Sequence, residues 1–525
     1  MGDNSSRTKN TARNIMWGYI GTVISMAIQF ISRTVFIYTI GVSYLGINGL
    51  FTSVLGMLSL SELGIGTAIN YNLYKPVAER DFEKIKSLMQ LYKKAYRIIA
   101  IVIAGIGIVL IPFLPYLVKM DEYIPNLTLY YLIFLFNTVS SYFVSYKYGL
   151  VNADQKGYIV NNINSIFTII MTIIQMIVLI VFGNYTVYLL TQAMVQLIQK
   201  IVAGIYINRR YPYLRDKNAS PLPKKEREYI KKNVIALMVH KIGEMSIHQT
   251  DSIIISAFIS TTLVGMVSNY NLIITSVSTF VLIIFNSVTA SVGNLIAKES
   301  LDRQEEIFDI YNFIGFWLYG LIFVCYFILF QPFIQLWIGS QNKIGDIALI
   351  LVILNQYLVG QRLTVNNMKT AAGIFNEDKY ISLIQGAINL IVSLTLVQNL
   401  GLVGVYIGTV VSGLFANITR PIIVYREMFH KSAKIYFIKS IKYLLSVLSV
   451  AFLLKMIVIN IVSDITWGIF VLLCVTSAIV PNVMFWILFH NSIEFKGLLI
   501  RLERLIPSKL LNIIKKNRGE AKNVD

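Results

Sequence analysis

The stretch Val239–Ser252, VHKIGEMSIHQTDS, sets Lys241, Glu244, Asp251 and two of the chain's four histidines among residues otherwise dominated by isoleucine, leucine and phenylalanine. Its meaning depends on the solvent around it. The 525-residue chain is 56% hydrophobic and 14% charged, whereas soluble domains carry about 25% charged residues. Ile98–Val118, Ser165–Val181 and, apart from Lys455, Tyr443–Ile459 are apolar runs, long enough to cross a hydrocarbon core that takes about 20 residues of helix. The composition predicts an all-α integral membrane protein, with the quoted stretch inside one of its spans.

The formal charge of +19, from 46 Lys+Arg against 27 Asp+Glu, would suggest nucleic acid in a soluble protein. Its placement argues for no nucleic acid. Basic clusters recur in alternate loops, among them Arg7–Arg13, Lys75–Arg97, Lys200–Lys232, Arg362–Lys379 and Arg420–Lys442, with Lys119 and Lys343 as exceptions. That is the positive-inside pattern, and it places both termini in the cytoplasm. The polar, basic start MGDNSSRTKNTAR leads into a full-length apolar run, so no cleavable signal is expected. Cys325 and Cys474 both fall in apolar spans, which indicates neither a disulfide framework nor a thiolate metal site.

Dividing the apolar runs at the loops predicts about fourteen transmembrane helices, near 14–40, 44–73, 92–118, 124–149, 158–182, 185–207, 231–258, 262–296, 310–336, 345–361, 380–398, 402–424, 437–459 and 465–489. A repeat runs through them. Arg13-Asn14-Ile15 matches Lys232-Asn233-Val234 at an offset of 219, and Leu45-Gly46 matches Val264-Gly265 at the same offset, as Tyr92 does Tyr311. Pro112-Phe113-Leu114 matches Pro332-Phe333-Ile334 at 220, and the loop Asn152–Lys156 resembles Asn376–Lys379. The expected organisation is two homologous six-helix lobes, 1–207 and 231–430, joined by a cytoplasmic linker at 208–230. Two extra transmembrane helices occupy 431–490, and a basic amphipathic cytoplasmic tail 491–525. An even number of spans per half relates the halves by an axis along the membrane normal, an arrangement that transporters use to place a site between lobes.

At 100° per residue, Lys241, Glu244, His248 and Asp251 share one helical face. Moving back by 219 gives Thr22, Ser25, Gln29 and Ser32, with Arg33 beside them. Ionisable groups within hydrocarbon face a bundle interior or a water-filled cavity, so both stripes are expected to line a central cavity with His240, also on the second helix, nearby. Arg33 and Lys241 read as a cationic patch for an anionic substrate group, Arg holding phosphate oxygens bidentately and Lys as a point charge. Alternatively, Lys241 only pairs with Glu244 for insertion. Within the two lobes these are the two basic residues plainly inside spans, Lys147 and Lys200 lying nearer the edges. Glu62, in SLSELGIGTAI, either carries a coupling proton or satisfies a helix break at Gly64 and Gly66. Glu244 and Asp251 are further proton or sodium candidates.

His240, Glu244 and His248 recur every four residues, but the sequence supplies no further zinc ligands, so no metal site is expected. Asn126, Asn184 and Asn417 open Asn-x-Thr triplets by coincidence. No phosphate-binding Gly-Lys loop, nucleotide fold or nucleophile elbow is present, and no cofactor is expected. The tail IEFKGLLIRLERLIPSKLLNIIKK reads as a helix lying on the anionic cytoplasmic leaflet, with partner binding as the alternative.

TVFIYTIGVSYLGINGLFTSVLGMLSLSELGIGTAINYNLYKPVAERD (Thr34–Asp81), followed by KIKSLMQLYKKAYR, resembles the N-terminal part of bacterial polysaccharide transporters. These are the lipid-linked oligosaccharide flippases of O-antigen and capsule pathways, in the superfamily that also holds multidrug and toxin extrusion transporters and lipid II flippases. The resemblance extends over nearly the whole chain in length, span count and duplication. It implies a V-shaped alternating-access transporter in the bacterial cytoplasmic membrane. The cargo would be an undecaprenyl-diphosphate-linked glycan, its lipid tail remaining among membrane lipids, with coupling to H+ or Na+ and with polysaccharide polymerase or export partners. Family members often have a more cationic cavity than Arg33 and Lys241 alone provide. The competing readings are a cation-coupled exporter of drugs or amphipaths using Glu62, Glu244 and Asp251, and a membrane glycan polymerase or ligase. Such enzymes generally carry a large external catalytic loop, which the short external connections here do not supply.

Overall fold

Two interruptions, 219 residues apart, organise the membrane helices. The computed structural model describes residues 23–59, 65–121, 123–216, 220–374, 377–378, 380–461 and 464–505, with side chains at 65, 67–69, 215, 233, 236–248, 283–284, 286–298 and 502–505 outside that description. Helix α1 (Val23–Ile40) stops at Gly41, whose φ of +101° is open to glycine and costly for other residues, and α2 (Val42–Leu58) follows at once. Helix α9 (Lys224–Ile254) ends in a π turn, Ile255–Ile259, and stops at extended Ser260 before α10 (Thr261–Lys298). Gly41 and Ser260 are thus the same break in two halves.

Between them run α3 (Ile65–Glu79), α4 (Phe82–Val109), α5 (Leu114–Leu117), α6 (Leu127–Ala153), α7 (Gly157–Phe182) and α8 (Tyr185–Arg210). After α10 come α11 (Leu301–Ile338), α12 (Asp346–Ala371), α13 (Ile381–Leu400), α14 (Leu402–Val424), α15 (Lys434–Ile461), α16 (Trp467–Phe489) and α17 (Ile493–Leu505). Among the described residues all regular structure is helical. Eleven helices are long and apolar enough to cross a membrane, and α4 with α5, bent by 40°, makes a twelfth. The other two of the fourteen expected spans are the α2–α3 pair and α9, which carries the charged stretch quoted above. Helices α4 and α11 begin 219 residues apart, as do α6 and α12.

Local chemistry sets several ends. Asp81 caps α4 by accepting from the Lys84 amide, and Asn184 caps α8 by accepting from the amides of Thr186 and Val187, which accounts for that Asn-x-Thr triplet. Lys119, an exception to the charge pattern, donates to the Phe258 carbonyl at 3.1 Å, while its backbone pairs with Ser256 and Thr261. A cation there satisfies carbonyls left open where α9 ends.

Packing divides the chain into two compact units, a division separate from the repeat: residues 1–280 with 379–412, and 281–378 with 413–525. In the first unit, α2 crosses α10 so closely that a Cβ on Gly46 would collide with the Thr261 carbonyl, and a Cβ on Gly265 with the Val42 carbonyl. Gly46 with Gly265 and Val42 with Thr261 are equivalent pairs at offset 219, so the crossing is two-fold symmetric. Ser43 and Thr262, also equivalent, share a hydrogen bond of 3.1 Å. Small residues allow this approach, which lipid does not drive by itself.

In the second unit, α11 is the central helix. Phe316 stacks on Tyr443 of α15 at 4.3 Å, Phe485 and Phe489 of α16 meet its edges, and Trp317 donates to Asn482 at 2.7 Å. Helix α17 docks one face on α11 through Gly497 against Ile310 and Phe495 stacked on Trp317, and on α15 through Glu494 paired to Lys439 at 2.7 Å. Its other face leaves Ile493, Leu499 and Ile500 exposed; the tail beyond 505 lies outside the described residues.

Candidate functional site

The repeat divides the polar stripe unevenly. On α1, Ser25 and Gln29 are exposed and Ser32 and Arg33 half-buried. Arg33 Nη1 donates to Ser268 Oγ of α10 at 2.9 Å, with Tyr188 of α8 beside the guanidinium and no carboxylate paired to it among the described residues. Thr22 and Glu62 lie outside the described residues. His240, Lys241, Glu244 and His248 lie on α9, with side chains outside the description.

Asp251 comes instead into a polar cluster between α9, α13 and α14. Thr409 Oγ1 donates to Asp251 Oδ2 at 2.9 Å and also lies 3.2 Å from the Val405 carbonyl. Asn389 Nδ2 donates to Thr409 Oγ1 at 3.2 Å, and its Oδ1 accepts from Thr250 at 3.1 Å. Ser393 donates to the same Val405 carbonyl at 3.1 Å. Asp251 Oδ1 is buried with no hydrogen bond of ordinary geometry. Arg33 and Asp251 form no ion pair.

The oxygens gathered here belong to one carboxylate, an amide, three hydroxyls and a backbone carbonyl, with Asn389 Nδ2 turned toward Thr409. Hard cations take such ligands, and one carboxylate balances one positive charge. The Thr409 hydroxyl has a single proton and two acceptors within reach, so a lone pair can turn toward an ion. An orphaned buried carboxylate oxygen is costly, and a monovalent cation or a proton removes that cost.

The signal for this cluster was present along α13. Ser382, Gln385, Asn389 and Ser393 recur at spacings of three and four, and all four are buried. On α14, Thr409 and Ser412 follow at a spacing of three, both buried. Polar groups on a buried face of a membrane helix mark contacts as much as charged ones do.

The expectation that Arg33 and Lys241 are the two basic residues plainly inside spans needs correction. Helix α12 continues to Ala371, beyond the expected end at 361, so Arg362 and Lys369 are helical. In the second unit Arg362 donates to the Gly413 carbonyl at 3.1 Å and to Asn417 at 2.9 Å. Lys369 and Arg420 both pair with Asp378, which is 1% exposed, the Arg420 contact being 3.0 Å. Three cations here face one carboxylate. A basic residue in the alternating charge pattern marks a loop, but a cation within a helix can instead be held by a carbonyl of a neighbouring helix, as Arg362 is by Gly413. In the first unit Lys200 is held in the same way, donating to the Asn137 carbonyl and Ser140 Oγ at 2.8 Å each. Among the described residues no group of three His, Cys, Asp or Glu side chains is placed to hold a metal ion.

The sequence profile of the family described as polysaccharide biosynthesis protein matches residues 11–292, more than half of the chain. The chain belongs to the polysaccharide biosynthesis protein family. It is a multi-pass membrane protein. Comparison with curated proteins gives no match.

Among solved structures, this family member is similar to the lipid II flippase MurJ in an inward closed conformation, with a TM-score of 0.61 and 15% identity over 91% of this chain and 100% of that one. It is also similar to an inward-facing multidrug resistance MATE family transporter of the MOP superfamily, with a TM-score of 0.57 and 16% identity over 75% of this chain and 92% of that one. A MATE transporter from Vibrio cholerae matches with a TM-score of 0.50 at 15% identity, over 79% and 95% of the two chains. At these identities the likeness is one of fold.

Proposed function

We propose that this protein is a flippase that moves undecaprenyl-diphosphate-linked oligosaccharide repeat units from the cytoplasmic to the outer leaflet of a bacterial cytoplasmic membrane. Both termini are cytoplasmic on this reading, as the basic loops favour. Translocation draws on a sodium gradient through Asp251. The observation that carries the coupling is Asp251 Oδ1, buried and without a hydrogen bond of ordinary geometry within a cluster of hydroxyl, amide and carbonyl groups. The membership in the polysaccharide biosynthesis family supports the glycan cargo. Arg33, carried on a membrane helix with only neutral groups beside it among the described residues, supports an anionic carrier.

In this account the two six-span halves alternate their openings, with Arg33 and Lys241 on the path of the diphosphate and His240, His248, Thr22, Ser25, Gln29 and Ser32 beside it. Sodium binding neutralises Asp251 and ties α9 to α13 and α14, so ion occupancy changes the free energy of conformations that hold or separate these helices. The α2–α10 crossing lies at the ends of α1 and α9 opposite the basic loops and parts when the path opens outward. Glu62 and Glu244 are secondary coupling candidates. A drug exporter would present its carboxylates to a cationic cargo, and Asp251 faces hydroxyls and an amide instead.

The test is reconstitution with a fluorescent polyprenyl-diphosphate oligosaccharide whose leaflet is read by a membrane-impermeant glycan-modifying enzyme. Transfer should follow an imposed sodium gradient and lose that dependence in Asp251→Asn. Transfer by the wild type that ignores sodium removes the coupling proposal, and transfer of cationic dyes instead of the lipid removes the cargo.

A further inference from the structure

The seam between α6 and α8 carries cations that the account above leaves unused. Lys200 lies ten residues before the end of α8, about 15 Å from it at 1.5 Å per residue. Its ammonium has three donors, and two are given to the Asn137 carbonyl and Ser140 Oγ of α6. Both acceptors are uncharged. Lys147, on the facing helix α6, directs its ammonium to Gly204, 3.8 Å from where a Cβ would stand, one turn beyond Lys200 toward the basic loops. Neither lysine has a carboxylate partner among the described residues; the Lys147 ammonium lies 5.8 Å over the Tyr146 ring, and the charge that acts on it is the cation of Lys93.

Two ammonium groups on one seam, carried by opposite helices, are costly at membrane depth without an anion. Helices only needing a staple can use neutral side chains, as α7 and α8 do where Gln199 donates to Asn164 at 2.6 Å. We propose that Lys200 and Lys147 form a phosphate-binding step on the first half, taking the diphosphate of the lipid carrier as it enters from the side of the basic loops. Lys200 supplies its third N–H, and Lys147 takes the second phosphate. The proposal rests on the flippase reading and adds to it residues beyond the two polar stripes. An anionic phospholipid headgroup offers similar oxygens, so the test separates the two sources.

The probe is farnesyl diphosphate, with farnesol as the uncharged control, titrated against the full-length protein in nanodiscs of phosphatidylcholine. Wild type should bind the diphosphate at least tenfold more tightly than farnesol. Lys200→Gln and Lys147→Gln should each weaken the diphosphate about tenfold and leave farnesol unchanged, as expected for one lost charge-assisted contact. Lys200→Arg should retain binding within threefold, and it carries the test with Lys147→Gln if Lys200→Gln does not fold. Diphosphate binding that is unchanged in the glutamine variants overturns this proposal while leaving the flippase reading intact. No preference for diphosphate in the wild type overturns the flippase cargo itself. Competition by phosphatidylglycerol that is strong in the wild type and lost in Lys200→Gln assigns the site to resident phospholipid and overturns the carrier step.

Discussion

Asp251 and Ser32 are equivalent residues, 219 apart on matching turns of matching helices, and only the second half has kept or gained a carboxylate there. Its partners Asn389 and Thr409 give that difference its chemistry. The expected consequence is a thermal stabilisation by sodium that potassium or choline does not reproduce. A ligand at about 100 times its Kd contributes about 2.7 kcal/mol, and Asp251→Asn should erase that increment in a melting assay with matched ionic strength. Equal stabilisation of both proteins would assign sodium to another place. Arg33→Ala and Lys241→Ala should each lower transport roughly tenfold to a hundredfold with normal membrane insertion, the scale of a charged hydrogen bond worth about 1.5–3 kcal/mol. Normal transport by the well-folded double variant would refute the cavity assignment. Asp378 behaves differently, because it is the carboxylate that two buried cations share. Asp378→Asn should cost on the order of 3–5 kcal/mol, as removal of one partner from a buried pair does, and should appear as loss of folded protein on size exclusion.

At the scale of helices, the sequence disclosed what is periodic and hid what is contacted. The break at Gly41 and the close approach of Gly46 and Gly265 follow from small residues at a constant offset. The extension of α12 past Arg362 does not, because its charge is satisfied by Gly413 and Asn417, 51 and 55 residues further along the chain. The cluster on α13 was legible in the spacing of Ser382, Gln385, Asn389 and Ser393, but uncharged residues draw less notice than Lys241 and Glu244. Gly46→Leu has no room beside the Thr261 carbonyl, and overpacking of this kind costs typically about 1–3 kcal/mol. Helices α2 and α10 should therefore separate, so that a cysteine at Ser43 reacts faster with an impermeant maleimide in that variant. An unchanged rate would mean that the crossing is not a closure. Outside the spans, burial opposes the charge of Asp154, but hydrogen bonds from Lys156 and Tyr211 outweigh it and hold the carboxyl below its ordinary range. Its contribution is therefore present above the unfolded carboxyl pKa and lost as pH falls through the lowered folded value. Asp154→Asn should flatten that acid limb of the melting curve.

For the molecule as a whole, an all-helical chain of many spans was readable because lipid imposes length and apolarity on every helix, whatever its neighbours, and eleven helices, or twelve with the bent pair, meet that test among the described residues. Packing follows a further rule. The chain passes from one compact unit to the other within α10 and again within α14, which no run of hydropathy announces, since both helices are continuous in sequence. The functional account needs the whole chain, with anion contacts on both halves through Arg33 and Lys241 and the sodium cluster on the second, and it stands or falls on which leaflet holds the lipid-linked unit. The direct measurement is made in cells deleted for this protein, by treating them with an impermeant glycan-modifying enzyme and quantifying modified and unmodified lipid-linked repeat units alongside surface polysaccharide. The account predicts complete units protected on the inside with surface glycan lost, both defects reversed by the wild type and not by the Asp251→Asn variant. Units that accumulate on the outer leaflet, open to the enzyme, would show that translocation proceeds without this protein and contradict it.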